Sequence, residues 1–266
     1  MRDLHLERTL ALAAAVLVCL SGCVQERIIF HPEVLPAHYR YHFGGVWEEV
    51  SIPVEGAVLN ALLFRVPRPK GVVLYFHGNA GSLRTWGEVA GTFTGRGWDC
   101  LIYDYRGFGK STGGFRCEDD LLDDGKAVYA YVRKRYGEAK IVFYGRSIGT
   151  GIAAGVAGAA SPHLLILESP YHSLLDLAGH HYPWLPAFVL EAYLRYPLPT
   201  YRWLREITCP VAVIHGTRDG IIPFENALRL KGLYPEKVRF FPVPGGGHND
   251  LEDFQQYHRA LDAVLS

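Results

Sequence analysis

The sequence predicts an α/β fold, a mostly parallel central sheet with helices on both faces, and three observations predict it. Short apolar runs recur along the chain, each ending at glycine, histidine, glutamate or aspartate. They are continuous rather than alternating, as strands covered on both faces by helices require. Stretches with helical character fill the intervals, which is the rhythm of βαβ units. A chain of 266 residues that is 49% apolar and 13% aromatic is also large enough to bury one substantial core.

The elements follow in order. Residues 46–54 and 57–66 read as an antiparallel hairpin around Glu55-Gly56. Parallel strands then begin at Val72, Cys100, Ile141, Leu164, Val211 and Val238, with helices near Leu83, Asp119, Ser147, Glu225 and Glu252. In such a sheet the functional loops gather at the carboxyl edge. Residues 170–204 break the rhythm and are dense in Tyr171, Tyr182, Trp184, Phe188, Tyr193, Tyr196, Tyr201 and Trp203. We read them as a cap over the site that can line an acyl pocket, with most of the aromatics packing the cap onto the sheet. His172, His180 and His181 lie here without a carboxylate or cysteine pattern beside them, so no metal is expected.

The amino terminus reads differently. Arg2 and Arg8 precede an apolar run over residues 9–20, and Leu20-Ser21-Gly22-Cys23 follows. The run is shorter than the roughly 20 residues that span a bilayer, so residues 1–22 read as a signal peptide rather than an anchor helix. Its end resembles a bacterial lipoprotein cleavage box, which implies a mature chain beginning at a lipidated Cys23, with an uncleaved signal anchor as the alternative. More than one acyl chain would hold it stably at a membrane. Val24 in place of an aspartate resembles lipoproteins of an outer membrane, facing the periplasm where the host has one. Residues 23–45 then form a tether and edge segment, broken by Pro32 and Pro36, before a domain over residues 46–266.

Of five cysteines, Cys19 would leave with the signal and Cys23 would carry lipid. Cys100, Cys117 and Cys209 remain, so at least one thiol is unpaired, and a Cys100 to Cys117 bridge stays open. Lys plus Arg and Asp plus Glu both number 27, and no basic cluster marks a nucleic-acid partner. A monomer is expected.

The chemistry centres on Gly145-Arg146-Ser147-Ile148-Gly149, which follows the apolar run Ile141-Val142-Phe143-Tyr144 and opens a helix of small residues. A serine hydroxyl is a poor nucleophile until the backbone exposes it, a base takes its proton and N–H groups receive the oxyanion. The strand, turn and helix supply the exposure, and the flanking glycines allow a strained turn. An acid and a histidine should follow in that order, each after a later strand. Asp219 follows the run ending at His215, and His248 follows Gly245-Gly246-Gly247. We assign His248 as general base and Asp219 as its orienting acid. Glu168, after Leu164-Leu165-Ile166-Leu167, is the competing carboxylate, and His77 and His215 also end strands. Asp250 reads as a helix N-cap that holds the His248 loop. The oxyanion donors are assigned to the backbone N–H of Ile148 and, in the loop His77-Gly78-Asn79-Ala80-Gly81, of Asn79. His77 then braces that loop.

These runs, with Asp104-Tyr105-Arg106-Gly107-Phe108-Gly109-Lys110-Ser111, Glu168-Ser169-Pro170 and Gly247-His248-Asn249-Asp250, resemble those of α/β-hydrolases. Within that superfamily they are similar to the group of BEM46-like proteins and eukaryotic protein depalmitoylases, over nearly the whole chain from Val46 onward. The resemblance implies an α/β-hydrolase fold and a serine hydrolase of acyl esters or thioesters, palmitate among the acids, without a cofactor. Gly220 departs from the pattern, because many relatives carry an acidic residue there. A dinucleotide-binding reading of Gly145-x-x-x-Gly149-x-Gly151 leaves Asp219 and His248 without a role. Two further readings are weighed. A peptidase of the prolyl aminopeptidase type needs cap carboxylates for a substrate amine, for which only Asp176 and Glu191 offer themselves. A non-catalytic binding lipoprotein of the envelope would keep the fold alone.

Overall fold

A computed structural model describes residues 22–266, with side chains from Gln25 onward except that of Ala139. The signal peptide read over residues 1–22, but for the Gly22 backbone, and the lipidated side chain of Cys23 lie outside the described residues. Strands run in the order β1 (His31–Pro32), β2 (Val46–Val54), β3 (Ala57–Arg65), β4 (Val72–Phe76), β5 (Ala80–Gly81), β6 (Asp99–Tyr103), β7 (Ile141–Arg146), β8 (Leu164–Glu168), β9 (Val211–Gly216) and β10 (Val238–Val243). Helices are α1 (Gly22–Ile29), α2 (Leu83–Trp86), α3 (Ala90–Thr94), α4 (Glu118–Tyr136), α5 (Ile148–Gly158), α6 (Leu174–His181), α7 (Ala187–Tyr193), α8 (Thr200–Trp203), α9 (Glu225–Leu233) and α10 (Gln255–Leu265).

Eight strands form one sheet in the order β10-β9-β8-β7-β4-β6-β3-β2. β2 and β3 pair antiparallel, β3 meets β6 antiparallel, and every other pair is parallel. Alternate side chains of each strand enter separate cores. Leu74, Phe143, Leu165 and Val213 meet Val128 of α4 and Ile152 of α5 on one face. Val73, Val142, Ile166 and Ile214 meet Phe93 of α3 and Leu261 of α10 on the other. The continuous apolar runs are thus explained by burial on both sides. α4 places Glu118, Asp119 and Asp120 in its first turn and Arg133, Lys134 and Arg135 in its last, each complementing the helix dipole.

Two details differ from the sequence reading. The final helix starts at Gln255, because Leu251–Asp253 forms a tight turn of its own. The larger difference lies within residues 23–45, read as a tether and edge segment, where the stretch around Phe30 packs onto the domain. Phe30 is 2% exposed and lies edge-on to Phe108, Phe115 and Tyr196, and β1 pairs in parallel with β5. Pro32 is tolerated in β1 because the N–H groups that meet the Asn79 loop are those of His31 and Glu33 on either side of it.

The bridge left open by the sequence is not formed, and Cys100, Cys117 and Cys209 are free thiols. Burial pushes the Cys209 thiol up to about 11 and that of Cys100 well above its ordinary value, whereas Cys117 is only half-buried. Thiolate is the reactive form. Iodoacetamide at mildly alkaline pH is therefore expected to modify Cys117 well before Cys100 or Cys209 in the native protein. Peptide mass spectrometry over time checks this, and equal rates at Cys117 and Cys209 would contradict it.

Candidate active site

The chain leaves β4 in one direction for β6 and returns on the other side for β7, so the loops after β4 and β7 part at their carboxyl ends. A crevice opens at such a reversal. Ser147 sits there, between β7 and α5, at φ 54° and ψ −123°. This left-handed backbone is costly for a residue with a side chain and persists only where its surroundings impose it. Here Ser147 N–H donates to the Glu168 carbonyl at 3.0 Å. A Cβ on Gly149 would stand 2.1 Å from the Phe76 carbonyl oxygen, and one on Gly145 would stand 2.5 Å from the Gly149 carbonyl oxygen. Both positions therefore admit glycine alone, and the close approach they permit holds the turn.

The three side chains singled out in the sequence come together. Ser147 Oγ lies 3.0 Å from His248 Nε2, and His248 Nδ1 lies 2.7 Å from Asp219 Oδ2. Asp219 Oδ1 accepts the N–H groups of Ile221 at 2.9 Å and Ile222 at 2.8 Å. His215 Nε2 stands 3.3 Å from Asp219 Oδ2 and 2.9 Å from the Ile222 carbonyl. Burial alone would push the Asp219 carboxyl up. Hydrogen bonds from His215 and His248, the charge on His248 and the Ile222 N–H overcome it and hold the carboxyl far below the usual carboxylate range.

Glu168 is turned to other work. Its carboxylate meets Arg146 Nε at 3.1 Å and accepts from the Tyr144 and Tyr257 hydroxyls, within the core on the α10 face. Asp250 does not cap the turn that follows it. Its Oδ1 instead accepts the Gly247 N–H at 2.6 Å, which folds the loop before His248 back on itself. A donor three residues ahead, freed by the glycine run, is the better-placed partner.

The N–H of Ile148, in the first turn of α5, and that of Asn79 have no acceptor among the described residues. Both residues line the same cavity as Ser147 and His248. His77 is fully buried, with Nδ1 2.7 Å from the Gly78 carbonyl and Nε2 3.5 Å from Asp104, so both ring nitrogens are engaged away from the Ser147 hydroxyl's partners. The cavity measures about 480 Å³. Leu174, Leu177, Leu185, Leu190, Leu194 and Ile222 are among its lining residues, and no carboxylate of the described residues lines it.

Sequence reasoning missed three contributions. Arg146, inside the serine motif, reaches the His248 carbonyl at 3.3 Å and Asn249 Oδ1 at 3.2 Å while lying over the Trp86 ring. His215 supports the acid from four residues away. Ile28 and Ile29 of α1 line the cavity. Only His215 carried a signal, at the strand end just before Asp219. The assembled parts are those that acyl transfer needs: an exposed hydroxyl, an imidazole in line with it, a buried carboxylate and free N–H donors beside them.

A parallel sheet with a strained serine at its switch point, followed by loops bearing acid and histidine, defines the serine-hydrolase class. Comparison with known proteins agrees, and the chain belongs to the α/β-hydrolase superfamily. The family model described as serine aminopeptidase, S33, matches residues 67–198. An uncharacterised protein of Mycobacterium tuberculosis is 32% identical over 258 residues, covering 92% of this chain and 90% of that one. The alpha/beta hydrolase domain-containing protein 17C of Xenopus tropicalis is 34% identical over 218 residues, covering 79% of this chain and 67% of that one. Among solved structures, the Pyrococcus furiosus esterase Pf2001 superposes with a TM-score of 0.68 at 17% identity, over 88% of this chain and 98% of that one. Est1E of Butyrivibrio proteoclasticus gives 0.65 at 20% identity, over 82% and 95%.

Proposed function

We propose that this serine hydrolase cleaves esters or thioesters of medium or long acyl chains at a membrane, to which a lipid on Cys23 anchors it. Ser147 Oγ attacks the acyl carbonyl and passes its proton to His248 Nε2. The developing oxyanion turns towards the N–H groups of Ile148 and Asn79. Asp219 balances the imidazolium and keeps the ring oriented. The imidazolium protonates the departing alcohol or thiol, leaving an acyl-enzyme. Water that gives its proton to His248 then attacks, and the carboxylic acid leaves as Ser147 is restored.

The carrying observation is the aliphatic cavity of about 480 Å³ that opens at Ser147 without a lining carboxylate. An aminopeptidase would need such a carboxylate for the substrate amine. Asp176 is engaged by His172, Ser173 and Arg229, and Glu191 lies exposed outside the cavity. The binding-lipoprotein reading leaves the Ser147–His248–Asp219 alignment unused. The resemblance of the sequence motifs to those of protein depalmitoylases supports thioesters, lysophospholipids or acylated proteins as substrates, the Cys23 motif supports the envelope, and the unit is read as a monomer.

A series of p-nitrophenyl esters and acyl thioesters from acetyl to palmitoyl tests this reading. Each buried methylene contributes about 0.8 kcal/mol, so kcat/KM is expected to rise roughly fourfold per methylene until the cavity is filled. A strong preference for acetyl would refute it.

A further inference from the structure

The loop that carries Asn79 has little rigidity of its own, because Gly78 and Gly81 flank it and Gly81 adopts φ 85°. Tyr105 holds it at the His77 carbonyl and Trp86 Nε1 at the Ala80 carbonyl, and the restraint on Asn79 itself comes from the amino-terminal end of the described chain. His31 N–H donates to the Asn79 carbonyl at 2.7 Å, and Asn79 Nδ2 donates to the Ile29 carbonyl at 3.0 Å. The β1–β5 ladder then sets His31 beside Ala80 and Pro32 beside Gly81, and Glu33 N–H donates to the Gly81 carbonyl at 2.9 Å. Asn79 is thus held by its carbonyl and its amide side chain, and its backbone N–H is left free.

Glu33 closes the strap. Its carboxylate accepts the Ser82 hydroxyl at 2.6 Å and Arg84 Nε at 3.0 Å, fixing the residue that caps α2. Its carbonyl accepts the Gly109 N–H at 2.7 Å, and Leu35 N–H returns to the Gly109 carbonyl at 2.8 Å. Upstream, Phe30 is seated among aromatic rings, and Gln25 ties α1 to the Tyr193 carbonyl and the Arg195 N–H in the cap.

We propose that residues 29–33 are a strap that positions the Asn79 N–H as an oxyanion donor, with Glu33 as its positioning residue. The inference rests on the acyl-transfer reading given above. It makes the segment next to Cys23 a working part of the site. Loss of one oxyanion donor costs on the order of a hundredfold or more in kcat, and a donor that is present but loosely aimed costs part of that.

The test uses the full chain in detergent with Glu33→Ala, Glu33→Gln, Ser82→Ala and, as a control at an exposed side chain, Val34→Ala. Glu33→Ala is expected to lower kcat about tenfold with little change in KM, because the donor acts on the transition state rather than the ground state. Glu33→Gln, which keeps an acceptor for Ser82, should recover most of the loss, and Val34→Ala should match the parent. The decisive readout is inhibition. An alkyl trifluoromethyl ketone forms an oxyanion on Ser147 and should weaken in step with kcat, whereas the matched secondary alcohol should bind unchanged. Unchanged kcat and ketone affinity in Glu33→Ala would overturn the proposal, and so would equal weakening of both inhibitors alongside a fallen Tm. Should Glu33→Ala fail to fold, Ser82→Ala is read by the same criteria. A parent protein without turnover or Ser147-dependent labelling would overturn the acyl-transfer reading and the strap with it. An active parent with indifferent strap variants would overturn the strap alone.

Discussion

Replacing Ser147 with alanine is expected to lower ester turnover by on the order of a millionfold and to abolish labelling by a fluorophosphonate probe, and His248→Ala should do nearly the same. The two losses are alike because the residues act as one unit. Without the imidazole 3.0 Å away the hydroxyl keeps its proton, and without the hydroxyl the imidazole has no proton to take. Both variants should fold, since Ser147 Oγ has no hydrogen-bond partner besides His248 among the described residues, and Asp219 keeps Ile221, Ile222 and His215 as partners when His248 is lost. Comparison of labelling, turnover and Tm across parent and variants checks the prediction. Labelling retained in Ser147→Ala would place the nucleophile elsewhere, and strong labelling of His248→Ala would call for another base.

The second large effect separates the two carboxylates. Asp219→Asn is expected to lower kcat by about 10⁴, because an amide at that position favours the wrong imidazole tautomer and cannot balance the imidazolium. Glu168→Gln should cost less than tenfold in kcat and show itself in stability, since it leaves the half-buried Arg146 without its ionic partner. Reversal of these two outcomes would move the acid to Glu168. A pH titration of stability adds an independent check. The folded-state pKa of Asp219 is depressed, so its contribution is complete above the unfolded carboxylate value of about 4 and drains away as pH falls through the folded value. Asp219→Asn should therefore be less stable at neutral pH and lose less between that point and strong acid.

Much of this was legible in the residues themselves. Strand starts at Val72, Ile141, Leu164 and Val211 agree with the structure because each run is buried on both faces, and that at Val238 agrees although its edge strand is only partly buried. The elbow was legible because its physics is local: a serine at positive φ between two glycines that touch neighbouring backbone. Other features depended on which side of the sheet a side chain faces. Glu168 and Asp219 both follow apolar runs, but Glu168 ends β8, pairs in register with Arg146 and shares its core with Tyr144, whereas Asp219 lies in the loop after β9, beside that of His248. Asp250 had the composition of a cap and found a nearer donor in Gly247.

What the sequence by itself determined was the βα order, the serine turn and the candidate partners, since these follow from side-chain period, backbone sterics and short-range spacing. Only the tertiary structure set Asp219 rather than Glu168 beside His248, placed Arg146 against the His248 loop and drew residues 29–33 onto the Asn79 loop. The physical reason is that these outcomes depend on long-range burial. The docking of Phe30 among Phe108, Phe115 and Tyr196, and the pairing of β1 with β5, join parts of the chain whose proximity no local pattern encodes.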